Sequence, residues 1–227
     1  MRRHVALITA VLVGAMLAAA WTPRTRTFAT IASAQTQDTL VAPVEPTTTT
    51  VPPTTTSTTA KPSAPVVNLE PKLVSALPSG YARQPDDVGN TGPSNLDKAV
   101  RDDAAADARQ ALAADGYVTG YSRLWASGNN AIIDVLYLFA DPTGAANYIQ
   151  RRAAGFAKTG GQGTTITEFA VAGIPGARGF LAHSDGGDAA IVAFTRGAYA
   201  VQISLNGTDA TPEVANHLAT AQYNKAT

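Results

Sequence analysis

The chain has 227 residues, with 17 basic and 17 acidic side chains and no cysteine. The missing cysteine excludes disulfides, thiolate metal ligands, a cysteine nucleophile and a lipid-modified N-terminal cysteine. Residues 1–68 carry five basic and two acidic residues, whereas residues 69–227 carry twelve and fifteen. Nucleic acid as a partner is therefore disfavoured, because it requires clustered Lys and Arg.

The N-terminus has the pattern of an export signal. Arg2 and Arg3 precede an uncharged, mostly apolar run over residues 5–21, which is typical of a signal peptide. The run is long for a cleaved signal and short for a membrane span. We therefore predict that residues 1–34 form a signal peptide or an N-terminal membrane anchor. The rest of the chain would be extracytoplasmic, either secreted or attached to the membrane.

Residues 43–65 are mostly Thr and Pro. A segment with so little to bury cannot recover the entropy that folding costs, so it stays extended and solvated. We predict that residues 35–68 form a disordered linker holding a domain away from a membrane or cell wall. Two interpretations of the Thr hydroxyls remain open, a glycosylated stalk and an unmodified spacer.

Residues 69–227 have the patterns of a globular domain. A helix is predicted from Ser94, with a capping-box-like Asp97, to a stop at Asp115-Gly116. The predicted strands cover residues 117–127, 131–139, 164–172, 177–183, 189–196 and 199–205. Two more helices are predicted, one from Asp141-Pro142 and the last from Thr211-Pro212.

The segment 131–150 is central to this pattern. Nine residues that are apolar except for Asp134 lead directly into Asp141-Pro142, where Asp141 can cap a helix and Pro142 fits its first position. Strand, turn, strand and helix then recur in a weak ββα pseudo-repeat. We predict an α+β domain with an antiparallel sheet of about five to six strands and helices on one face. The other face would be polar and open, or would curl into a pocket.

Four short segments resemble extracytoplasmic domains of actinobacterial secreted or tethered proteins. They are LPSGY at 77–81, DGYVTGY at 115–121, LFADP at 138–142 and GIPGA at 173–177. The resemblance covers the layout of about the whole globular part, and the Thr/Pro tether behind one export segment is similar too. It implies an extracytoplasmic location and a fold class, with no agreed activity. Many relatives carry a lipobox cysteine, which this chain lacks.

Asp134 is the most unusual residue of the predicted sheet. It interrupts the most apolar strand, and Arg123 on the preceding strand is close enough in hairpin register to be its partner. Tyr121 and Trp125 share the face of Arg123. Tyr121, Arg123, Trp125 and Asp134 are therefore candidate ligand-binding residues, because rings stack and charges orient a ligand. An ordinary cross-strand pair is the alternative.

No catalytic, metal or cofactor motif is recognisable. His183, Ser184 and Asp185 are the residue types of a hydrolase triad, but neighbours on a strand point to opposite faces. His183 and His217 lack evident metal-binding partners. We predict a non-enzymatic, sensor-like domain that binds a small ligand, wall polymer or partner protein without cofactor or metal. The alternatives are a small secreted hydrolase or isomerase, and a structural cell-envelope protein.

Overall fold

The computed structural model describes residues 67–158 and 163–227. The predicted export segment, residues 1–34, and residues 35–66 of the predicted linker lie outside the described residues. No helix within the described ranges has the length and apolar character needed to cross a membrane.

The described chain forms eight strands and four helices, joined by short turns. In chain order they are β1 (Ala82–Arg83), β2 (Gly92–Ser94), α1 (Leu96–Asp103), α2 (Ala108–Ala114), β3 (Tyr117–Ser127), β4 (Asn130–Phe139), α3 (Pro142–Lys158), β5 (Thr164–Phe169), β6 (Arg178–Ser184), β7 (Gly187–Arg196), β8 (Tyr199–Asn206) and α4 (Pro212–Lys225). Short 3₁₀ turns occur at Glu70–Lys72 and Val88–Asn90.

All eight strands belong to one antiparallel sheet. The strand order is β1-β3-β4-β8-β7-β6-β5, and β2 pairs beside β1 on β3. The predicted α+β class with an antiparallel sheet is confirmed. The predicted count of five to six strands is wrong, because β1 and β2 lie in a stretch whose Asp, Gly and Pro content favoured a loop. These two short strands pair with the outer edge of β3.

The prediction of helices on one face is also wrong. Neighbouring residues of a strand point to opposite faces of the sheet. In β7, residues on the two faces pack against different helices. Val192 and Phe194 share a buried cluster with Leu218 of α4. Ala193 lies in a second cluster with Ile149 of α3. The sheet is open, but helices pack against both of its faces.

The predicted helix over 94–115 is two helices. Asn95, and not Ser94, caps α1, with its side chain accepting from Lys98 N at 2.9 Å. The break follows Asp103, because Arg152 donates to the Asp103 carbonyl at 2.9 Å and Ala104 adopts a left-handed φ of 60°. The predicted stop at Asp115-Gly116 is confirmed, since α2 ends at Ala114.

The junction between β4 and α3 follows the prediction. Asp141 Oδ1 accepts from Gly144 N at 3.0 Å, so its side chain satisfies a free amide of the first helical turn. Phe139 and Tyr148 then lie with ring centroids 5.5 Å apart, which fixes α3 against the sheet. The backbone of α3 also approaches the backbone of Asp115 closely at Gly144, where a Cβ would lie 1.8 Å from the Asp115 carbonyl oxygen.

Candidate functional site

The structure brings the four predicted ligand-binding residues together. Arg123 and Asp134 are direct cross-strand partners in the β3–β4 hairpin, as predicted. The Arg123 guanidinium lies over the rings of Tyr121 and Trp125, at 5.6 Å and 5.9 Å from their centroids. The cluster of aromatic rings, arginine and aspartate therefore exists on one face of the sheet.

This cluster is buried beneath residues 69–74. Tyr121, Trp125 and Asp134 are 6%, 5% and 0% exposed. Leu69 and Leu73 are also buried and share one hydrophobic cluster with Tyr121 and Trp125. The four residues are therefore part of the core around residues 69–74, and they do not form an open platform within the described structure.

Arg123 pairs with a residue that the sequence did not indicate. Its guanidinium forms an ion pair with Glu70, which also contacts Arg83 at 3.2 Å. Asp134 instead accepts from the backbone amide of Val74, with Oδ2 3.0 Å from the nitrogen. Arg123 Nε and Asp134 Oδ1 are both buried and have no hydrogen-bond partner. The cross-strand register was therefore correct, but both side chains are engaged mainly by residues 69–74.

Burial controls the ionisation of Asp134. It raises the pKa of this carboxyl from 3.8 to about 7, because a charge is poorly solvated inside the domain. The Val74 amide and the positive charges of Arg123 and Lys225 oppose that rise. Asp134 therefore changes its charge near neutral pH.

Residues 69–78, here called the N-terminal strap, are also held by α4 and the C-terminus. Gln222 Nε2 donates to the Lys72 carbonyl at 2.8 Å, and Lys225 Nζ donates to Ser75 Oγ at 2.9 Å. The Lys72 ammonium contacts the carbonyl of Thr227. The strap therefore makes hydrogen bonds both to the sheet, through Asp134, and to α4.

The end of the strap forms one wall of a groove. Leu77 and Pro78 face three residues of α4, which are Glu213, Val214 and His217. The groove has a volume of about 370 Å³, is shallow and is largely open to solvent. Sequence reasoning missed this site. The spacing of Glu213 and His217 places them one turn apart on a helix, but nothing in the pattern indicated that residues 77–78 lie beside them.

The remaining histidine of the globular part lies elsewhere. His183 Nδ1 is 2.5 Å from Asp188 across the β6–β7 hairpin, and the two side chains are 76% and 46% exposed. Ser184 donates to the carbonyl of Gly187 and does not extend this pair. Within the described residues no group of three or more His, Asp or Glu side chains could hold a metal ion.

The similarities of this chain to known proteins lie among solved structures. No protein-family model matches the chain, and no curated protein matches it in sequence. Among solved structures, the chain is similar to the extracellular domain of PknH from Mycobacterium tuberculosis, with 14% identity and a TM-score of 0.43. The match covers 60% of this chain and 78% of that one. Similarity at this level carries no conclusion about the location, ligand or activity of this chain.

Proposed function

We propose that residues 69–227 form a non-enzymatic extracytoplasmic binding domain on a flexible tether, and that the groove beside α4 is its ligand site. The observation that carries this proposal is the groove itself. Its volume of about 370 Å³ lies within the range of roughly 300–1,000 Å³ that ligand pockets occupy. The ligand would be a small molecule, a segment of wall polymer or a short part of a partner protein.

The lining of the groove suits recognition. Leu77, Pro78 and Val214 supply apolar contact, while Glu213 and His217 are polar groups that can orient a ligand. Glu213 lies in the first turn of α4, where the helix dipole favours a negative charge. An apolar surface with a few convergent polar groups is the usual composition of a binding site.

The tether and location belong to the same proposal. The basic head and apolar run over residues 1–34 support export, and the Thr/Pro composition of residues 35–68 supports a linker. If the N-terminal segment is retained, the domain stands at the outer face of a membrane. If it is cleaved, the domain is released or held by the envelope.

The test is a fragment screen against the full chain, read by ligand-observed NMR. Val214→Glu would place a charge in the groove, and Val118→Glu is the matched control on β3, where Val118 is 52% exposed. We expect fragments that bind the wild type and the control but not the Val214 variant. An absence of binding fragments, or binding that survives V214E, would contradict the proposal.

An enzymatic alternative rests on one feature of the same groove. Glu213 and His217 place a carboxylate and an imidazole at its lining, and these groups can act as general acid and base. A small secreted hydrolase or isomerase would use them on a bound substrate. Turnover of a bound fragment that His217→Gln abolishes would favour the enzyme, whereas binding without turnover would favour the binding domain.

A further inference from the structure

The N-terminal strap covers a carboxylate that is only half satisfied. Asp134 is fully buried, and the hydrogen bond from Val74 N at 3.0 Å is the contact that joins it to the strap. Its second oxygen, Oδ1, is buried without a hydrogen-bond partner. A neutral carboxyl group tolerates such a site far better than a carboxylate does, because a buried charge needs several compensating contacts.

The charges around Asp134 do not fully compensate it. Arg123 lies opposite on β3 but forms its ion pair with Glu70 of the strap, which takes up part of its charge. Lys225 of α4 donates to Ser75 instead. On β8 the register partner of Asp134 is the apolar Ile203. Arg123 and Lys225 are the cations whose charges favour the ionised form.

We propose that the N-terminal strap is a pH-sensitive element, in which protonated Asp134 holds residues 69–78 on the sheet and ionised Asp134 loosens them. An ionised Asp134 gains solvation when the strap separates from the sheet and admits water to Oδ1. The neutral form gains much less from that separation, because its unpartnered oxygen carries no charge. The Val74 amide binds the carboxylate more strongly than the neutral group and so opposes the loosening, but the cost of burying the charge is the larger effect. The pKa of about 7 for this carboxyl places the change near neutral pH.

The strap lies between the predicted linker and the groove proposed as the ligand site. Its first residues follow the predicted linker, and its last residues, Leu77 and Pro78, form a wall of the groove. A looser strap therefore moves the groove wall and the point at which the tether joins the domain. Loosening of the strap does not require a ligand in the groove, so it can be measured separately from the fragment screen.

The experiment is amide hydrogen exchange of the full chain, with protection factors compared at about pH 5 and about pH 8. We expect the protection of strap amides, Val74 included, to fall by roughly tenfold or more relative to amides of β7 and β8 as the pH rises. In Asp134→Asn this extra fall should disappear, because asparagine cannot ionise. Asp185→Asn, at an exposed aspartate in the turn between β6 and β7, should behave as the wild type.

Two outcomes would overturn the inference. One is a strap whose protection in the wild type follows that of β7 and β8 at both pH values. The other is the same extra fall in D134N as in the wild type. If D134N does not fold, the wild type alone decides, because the protection of the strap amides should then change with pH at the same midpoint as the Asp134 carboxyl titrates. Separate midpoints would refute the coupling.

Discussion

Asp134 should make the folding stability of the domain fall as pH rises toward neutrality. Its pKa is 3.8 as an ordinary carboxyl and about 7 in the folded domain, so between these values the folded state holds a proton that the unfolded state releases. The free energy of unfolding decreases with pH wherever the folded state binds more protons. The stabilisation that protonated Asp134 contributes is complete below the pKa of this carboxyl in the unfolded chain. It is lost as the pH rises through the pKa of the carboxyl in the folded domain.

The size of this effect follows from the pKa change. Each tenfold change in proton affinity corresponds to about 1.4 kcal/mol, so the whole change is worth about 4 kcal/mol. The part that falls between about pH 5 and about pH 8 is about 3 kcal/mol. Because domains are stable by only about 5–15 kcal/mol in total, this is readily measured.

The assay compares the wild type with Asp134→Asn by urea unfolding at those two pH values. The asparagine keeps an acceptor for the Val74 amide but cannot ionise, so the variant should gain about 3 kcal/mol relative to the wild type between about pH 5 and about pH 8. The contributions of groups that titrate in the same way in both proteins cancel in that difference. The lowered pKa of Asp97 and the raised pKa of Tyr117 also change stability only outside this pH range.

A constant difference between D134N and the wild type at the two pH values would refute this reasoning. So would a variant that loses stability relative to the wild type at the higher pH. Asp185→Asn, at an exposed site, should leave the pH profile of the wild type unchanged.

Two matched pairs of variants test the packing of the helices. Gly144→Ala should destabilise the domain by about 2–3 kcal/mol in thermal unfolding, because its Cβ meets the Asp115 carbonyl oxygen. Gly155 lies in the same helix, and a Cβ there would have no atom within 4 Å, so Gly155→Ala should stabilise the domain by about 0.5–1 kcal/mol. Equal effects of the two substitutions would contradict the close approach at Gly144. Asp103→Ala should cost about 3 kcal/mol in urea unfolding, because it leaves Arg151 and Arg152 without their buried carboxylate. Asp97→Ala, at an exposed site, should change the free energy of unfolding little. Similar losses for the two variants would show that the ion pairs of Asp103 contribute little to stability.

The parts of the fold that sequence could predict are those set by local patterns. The alternation of residues 199–205 and the apolar run over 131–139 indicated β8 and β4, and Asp141-Pro142 indicated the start of α3. The Arg123–Asp134 register followed from a short hairpin turn, because a turn fixes which residues are opposite one another.

The rest depends on contacts between distant residues. Nothing near Asp134 shows that its partner is the amide of Val74, sixty positions earlier. The break at Ala104 depends on Arg152 of α3, and the Ala-rich pattern of that region favoured one continuous helix. Alternation within β7 did not reveal that both of its faces are covered.

The candidate site was least accessible to prediction. The groove joins residues 77–78 to residues of α4 more than a hundred positions later, and neither segment carries a distinctive motif. The aromatic residues that did stand out, Tyr121 and Trp125, are buried. Unusual residues in a strand pattern therefore indicated a special environment here, but not an exposed surface.

The central claim is that this chain leaves the cytoplasm and carries its folded domain on a tether. The most direct test is fractionation of cells that express the full chain, with protease added to the intact cells. We predict that residues 69–227 are recovered outside the cytoplasm, in the medium or at the membrane, and that the protease reaches the linker. Recovery of the unprocessed chain from the soluble cytosol, protected from protease, would contradict the account.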